Sequence, residues 1–355
     1  MTNYARSAIE ALEDSPILDV WRTGMAMEGV IGLWAGEPDV PTPAFISNAA
    51  MKALSEGHTF YTHNRGIPPL RAAIADYLET HYGVRVSDDR ISVTSAGMNA
   101  VQLVCQTMLT SGDHAVAITP SWPNIMRAMT IAGADVTEVP LSHSANGWSL
   151  DLTQLFAACN ERTRLIYLAS PGNPTGWMIP PEDARALLDF AKRKNIAILS
   201  DEVYHRLVYD RKVAFSFLDI AQPDDPLFIV NSFSKAWAMT GWRLGWLIYP
   251  AGMMHIFEKL VQFNTSGGQA FLQHGAIAAL TEGEPFVAEF LDRCRAGREI
   301  ANRRLAAMPG VTLIPSTAAF YAMFEVEGVT DTLAFCKDVV LKARVGLAPG
   351  VAFGA

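Results

Sequence analysis

Residues 227–246 read LFIVNSFSKAWAMTGWRLGW. The first four side chains are all apolar, which predicts a strand covered on both faces. The run then breaks into Ser232, Ser234 and Lys235, and Arg243 comes eight positions after the lysine. A solvated lysine needs no bed of small and apolar neighbours. In a doubly wound sheet, ligands bind beyond the carboxyl ends of the strands, which is where this segment delivers its hydroxyls, amine and guanidinium.

Working outward, six further apolar runs share the character of 227–232: RISVTS (90–95), HAVAITP (114–120), DVTEVPL (135–141), RLIYLAS (164–170), IAILSD (196–201) and RLGWLIYP (243–250). Helical patterns lie between several of them. PEDARALLDFAKRKN (181–195) has proline at its start, acids early and bases late, a strong helix signature. Strands alternating with helices predict an α/β fold: a large domain with a mainly parallel seven-stranded sheet flanked by helices. The pattern changes towards the end. Residues 284–308 read as one long amphipathic helix, 310–326 as a strand pair and 332–343 as a further helix, which predicts a smaller α+β domain. The expected division is an N-terminal segment 1–48 with little regular pattern packing on the small domain, a large domain 49–283 and a small domain 284–355.

Composition fits an enzyme-sized globular chain. Half of the 355 residues are hydrophobic and 18% are charged, enough for a sizeable core. A net charge of −8 argues against a nucleic-acid partner. Cys105, Cys159, Cys294 and Cys336 show no CxxC spacing, so neither a metal site nor a disulfide framework is expected. The N-terminus lacks the apolar core of a signal peptide, and the uncharged run 91–112 reads as a strand and a buried helix, not a membrane span. A cytoplasmic protein is the expectation.

The candidate site lies in the segments just past the strands. After 90–95 come Ala96, Gly97 and Met98, whose backbone N–H groups either cradle an anion at a helix N-terminus or simply make a turn. Trp122, after 114–120, is either a flat plate for an aromatic ligand or a core residue. Asn173, between two prolines after 164–170, caps a turn or reaches a ligand. Asp201 ends 196–201, with Tyr204 just beyond. An acid there needs a cation to offset its burial, or else caps the next segment. Ser232, Ser234 and Arg243 suit a phosphate, and a desolvated Lys235 amine suits an aldehyde. Amine, acid, aromatic plate and phosphate cup in one place describe a pyridoxal phosphate pocket.

In this respect the chain resembles the class I/II aminotransferases of the aspartate aminotransferase superfamily, pyridoxal-phosphate enzymes of fold type I. The most specific stretch is SFSKAWAMTGWRLGW (232–246), followed by SPGNPTG (170–176) and SDEVY (200–204), and the likeness runs from GEPDVPTP (36–43) to APGVAFG (348–354). The resemblance implies amino-group transfer from an L-amino acid to a 2-oxo acid through a Schiff base at Lys235. It gives Asp201 the pyridinium nitrogen, and Asn173 and Tyr204 the phenolic oxygen. Trp122 takes the ring face, and Ala96, Gly97, Met98, Ser232, Ser234 and Arg243 the phosphate. Tyr61 corresponds to a tyrosine that completes the neighbouring subunit's site, implying a homodimer, and Gly36 to a residue at the substrate carboxylate. The family's carboxylate-binding arginine lies beyond the turn PGVAFG, so the small domain is expected to be incomplete at its end. Met98 stands where some aspartate-type members carry lysine. Trp34, Tyr61 and Phe320 are therefore expected to line a pocket for apolar or aromatic side chains, with Arg65 read as a solvated loop residue. The same scaffold also hosts C–S lyases and non-catalytic ligand sensors; the latter usually carry a DNA-binding segment, and none is visible here.

Overall fold

Each of the seven apolar runs forms a strand of one sheet in the computed structural model, which describes residues 4–354. In chain order the strands are β1 (Ile91–Thr94), β2 (His114–Thr119), β3 (Asp135–Pro140), β4 (Thr163–Ala169), β5 (Ala197–Asp201), β6 (Leu227–Ser232) and β7 (Gly245–Ile248). Their order across the sheet is β1-β7-β6-β5-β4-β2-β3. All neighbours are parallel except β7, which runs antiparallel to both β1 and β6.

The strands are apolar throughout because both faces are covered. Side chains alternate along a strand, so Ile166 and Leu168 of β4 enter one core while Leu165 and Tyr167 enter the other. β3, at the sheet edge, is instead largely exposed and carries Asp135 and Glu138. Charged residues on an edge strand deter pairing with another chain.

The connecting helices used below are α1 (Pro16–Met25), α2 (Pro68–Tyr82), α3 (Gly97–Met108), α4 (Pro123–Ala132), α5 (Pro181–Lys194), α6 (Glu284–Ala306) and α7 (Thr332–Ala343). α5 begins at a proline with Glu182 and Asp183 in its first turn, and ends on left-handed Asn195 after three basic residues. These features favour the helix at both ends of its dipole.

Beyond the sheet, α6 is followed by a hairpin, β8 (Val311–Ile314) against β9 (Met323–Val326), and by α7. The N-terminal residues are more regular than expected. Pro16–Met25 forms α1, whose Val20 packs with Cys336 and Val340 of α7, and Ile31–Gly32 pairs in parallel with Val345–Gly346. Proline at N1 and one buried face suffice for a helix of this length. Residues 33–43 then cross to the sheet as a strap. Thr42 fastens it there: its hydroxyl donates to the Ala238 carbonyl (2.6 Å) and accepts from the Trp242 indole (2.9 Å). Among the described residues no helix is long and apolar enough to cross a membrane.

Candidate active site

β1 leads into α3 through Ala96, which holds φ +88° and ψ 160°. That region is natural for glycine and strained for alanine. The strain turns the chain so that α3 starts directly at the sheet end. The Ala96 N–H bonds to the Thr94 carbonyl (2.9 Å), so of the three predicted anion donors it is already engaged, and Gly97 and Met98 at the helix start remain. β7 presses its backbone against this turn. A Cβ at Gly245 would lie 2.7 Å from the Gly97 nitrogen and 2.7 Å from the Asn231 carbonyl, so only glycine keeps the cup open.

The opposite wall is the start of the β6–β7 connection. The Ser232 hydroxyl donates to the Ser234 hydroxyl (2.9 Å) and accepts from the Ser234 N–H (3.1 Å); both residues are buried. Arg243 is exposed and in the left-handed region (φ 53°), with its guanidinium donating to the Thr240 carbonyl (2.6 Å). Because β7 is antiparallel, its beginning lies beside the carboxyl ends of its neighbours. That is how Arg243 joins the serines.

Asp201 ends β5, buried, and accepts a hydrogen bond from the Val203 N–H (3.2 Å). Burial pushes its carboxyl up to about 6, against the pull of that N–H and of Lys235. The bland expectation of a local turn is therefore met, yet one backbone bond leaves the acid short of a cation. Lys235 shows the complementary perturbation. Burial lowers its amine to about 8, Asp201 and Glu37 oppose the shift, and Arg243 adds to it. The ammonium donates to the Gly36 carbonyl of the strap and lies 5.7 Å from the centre of the Tyr204 ring.

Tyr204 brings in more of the site. Its hydroxyl is hydrogen-bonded to that of Tyr321 and to the Asn173 side chain, and burial raises it well above the ordinary phenol range. Phe320 packs edge-on against the Tyr204 ring at 5.7 Å. The sequence pattern points to Phe320 and misses its neighbour Tyr321. Strand alternation would send adjacent residues to opposite faces. Ala319, at φ +57°, breaks that alternation, and both rings reach Tyr204. The run AFY after a predicted strand is the one local signal for it. Nor does the pattern single out Glu37, which sits in turn chemistry.

Two expected residues lie differently. The Trp34 ring abuts Gly24, Gly32 and Gly346 and joins the Val20–Cys336–Val340 cluster, a packing position where a pocket wall was expected. Arg65 is buried, not solvated: its guanidinium donates to the carbonyls of Asp88 (2.7 Å) and Ile91 (3.0 Å). With both terminal nitrogens engaged there, the guanidinium is not available to an acidic substrate. Tyr61 is 93% exposed in a loop that also exposes Phe60. Trp122 is half-buried at the start of α4.

An aldehyde-reactive amine, a buried acid lacking a cation, paired phenol and amide donors, and an anion cup that a Cβ would fill together fit pyridoxal phosphate. Comparison with known proteins agrees. The family described as "Aminotransferase class I and II" matches residues 28–355. The chain is 33% identical to an aspartate aminotransferase of Pyrococcus horikoshii over 97% of its own length and 88% of that protein's. It is 32% identical to a probable aspartate/prephenate aminotransferase of Aquifex aeolicus, covering 98% and 91%. Among solved structures, a single mutant of Thermus thermophilus aspartate aminotransferase superposes with a TM-score of 0.92 at 29% identity, covering 99% of this chain and 93% of that one. An alanine aminotransferase from Pyrococcus furiosus does so with 0.92 at 27%, covering 99% and 92%. The chain belongs to the class I and II aminotransferases, pyridoxal-phosphate enzymes that move an amino group from an amino acid to a 2-oxo acid.

Proposed function

We propose that Lys235 is the residue to which pyridoxal phosphate attaches, and that its amine then serves as the proton carrier of the transamination. The observation that carries this reading is the perturbed pair: a half-buried amine lowered to about 8 beside a buried acid raised to about 6. When bound, the cofactor supplies an aldehyde that takes up the amino group and a cationic ring that draws electrons from the reacting carbon. Asp201 holds positive charge at the floor of the pocket, the partner its burial demands. Tyr204 and Asn173 donate hydrogen bonds beside it, and Trp122 covers a face. The Gly97 and Met98 N–H groups, Ser232, Ser234 and Arg243 bind the phosphate. The backbone of Gly36 accompanies the substrate carboxylate. A lysine amine lowered to about 8 keeps a neutral fraction near physiological pH, and that fraction can take the α-proton of the amino acid and return it elsewhere. The test is the visible spectrum of the purified protein: a pH-sensitive band is expected, lost in Lys235→Ala. A protein that gains no band when given the cofactor would overturn the reading.

The names of the relatives suggest aspartate as donor. The side chains around Lys235 favour an apolar or aromatic donor instead. Met98 offers no charge at the start of α3, Phe320 and Tyr321 supply aromatic surface, and Arg65 is occupied by Asp88. A donor panel with aspartate and glutamate far ahead would sink this preference.

A homodimer in the cytoplasm completes the reading. Phe60, Tyr61 and Phe263 are each at least 80% exposed, and Met51 and Leu54 are also exposed. Apolar surface of that kind suits a second copy, which would bring its own Tyr61 to this phosphate cup. Sedimentation at micromolar concentration showing only monomer would exclude it. The same reading divides the chain at about residues 48 and 283, where α6 leaves the sheet.

A further inference from the structure

Tyr321 meets Tyr204 and the strap at once. It is hydrogen-bonded to the Tyr204 hydroxyl, its ring lies 5.6 Å from that of Tyr204, and a Cβ on Gly36 would collide with its oxygen. Gly36 is also the residue whose carbonyl accepts from Lys235. Tyr321 belongs to the bend between β8 and β9, far in sequence from the sheet that carries the other groups. It is half-buried, and the titratable groups facing it are Tyr204 and Asp201. Lys235 in turn faces Asp201, Arg243 and Glu37.

A phenol oxygen that accepts a hydrogen bond becomes a better donor through its own proton, since chained hydrogen bonds polarise one another. Tyr204 has one proton and two lone pairs. Asn173 uses one lone pair with its amide, and a Tyr321 hydroxyl turned towards Tyr204 uses the second. The Tyr204 proton is then committed to whatever lies on its remaining side, the lysine pocket.

We propose that Tyr321 is a positioning residue of the cofactor site: its hydroxyl donates to Tyr204, orients the Tyr204 proton into the pocket and strengthens that donation. The role ties the β8–β9 bend and the strap to the electronics of the lysine pocket. It rests on the reading that Lys235 carries pyridoxal phosphate.

The test is the pH midpoint of the bound cofactor's visible absorbance change, measured without substrate. The wild-type band is recorded first, since its absence would fail the cofactor reading and not this one. Losing a donor to the cofactor's ring oxygen makes the deprotonated form harder to reach, so Tyr321→Phe raises the midpoint, by about half a unit. Tyr204→Phe raises it further, and the double variant matches Tyr204→Phe alone, because Tyr321 acts only through Tyr204. Gly36→Ala, whose methyl displaces the phenol without removing it, shifts the midpoint in the same direction. The melting temperature of each cofactor-free variant is recorded alongside, since a merely structural tyrosine would change stability without moving the midpoint. An unchanged midpoint in well-folded Tyr321→Phe, or shifts that add in the double variant, would overturn the proposal.

Discussion

Two polar clusters, each with a buried heart, sit side by side just after β5, and they are built on opposite plans. One is the lysine pocket. The other gathers Tyr77 and His81 of α2, His205, Arg206 and Glu284 at the start of α6. There the Arg206 guanidinium forms a fork to the Glu284 carboxylate (2.5 and 2.8 Å) and donates to the Tyr77 hydroxyl (3.3 Å), which also bonds His205 (2.8 Å). Burial holds His205 well below the usual histidine range and His81 at about 4, so both rings are neutral at physiological pH. Charge meets charge, and most polar atoms have partners. In the lysine pocket the acid and the amine do not bond each other, and burial pushes each towards neutrality. The first cluster is finished within the chain and ties α2, the β5 loop and α6 together. The second is left open for a ligand to complete.

Substitutions can break that contrast. The largest effect is on chemistry: Lys235→Ala should lower turnover by on the order of 10⁴-fold, with little loss of folded stability, as read by steady-state rates and thermal melts. In the closed cluster the outcome inverts. Arg206→Met removes the Glu284 fork and one of the Tyr77 hydroxyl's two partners, and should cost about 1.5 kcal/mol in urea unfolding while the visible band persists.

Asp201→Asn sharpens the comparison through pH. The folded carboxyl titrates near 6 against 3.8 as the reference, so the folded state holds the extra proton between those values. Cofactor-free stability therefore falls as pH rises from about 4 to 6. The substitution removes this loss and should stabilise the cofactor-free protein by about 2 kcal/mol at pH 7, with no gain below pH 4. An identical change at both pH values would show that the acid is not strained by burial. The smallest effect belongs to the cup. Ala96→Gly relieves a backbone conformation that alanine tolerates poorly, and should raise stability by about 1 kcal/mol in thermal unfolding.

Much of this arrangement is legible in the amino-acid pattern alone. Apolar runs with helices between them are a local signal, and all seven strands and α5, α6 and α7 obey it closely. The lysine loop is legible because several reactive types crowd one short segment. The features that escape are set by tertiary contact. Nothing local marks β7 as the antiparallel strand. Trp34 reads as a pocket aromatic until the glycines that receive its ring are placed around it. Arg65 reads as solvated until Asp88 and the Ile91 carbonyl close on it. Tyr321 depends on one positive φ at Ala319, which no periodicity announces.

The antiparallel setting of β7 also bears on how the chain reaches this state. Every other neighbouring pair in the sheet is joined by a longer excursion, most through a crossover helix, and β1 must wait for β7 across most of the large domain. β6 and β7 are linked by residues 233–244 alone, the shortest loop in the sheet, with Ser232 opposite Gly245. Loop-closure entropy is smallest there, by on the order of a few tenths of a kcal/mol against the link from β2 to β3. The segment that carries Lys235 is thus also the most local closure in the sheet, joining the cofactor loop to the seam between β6 and β7.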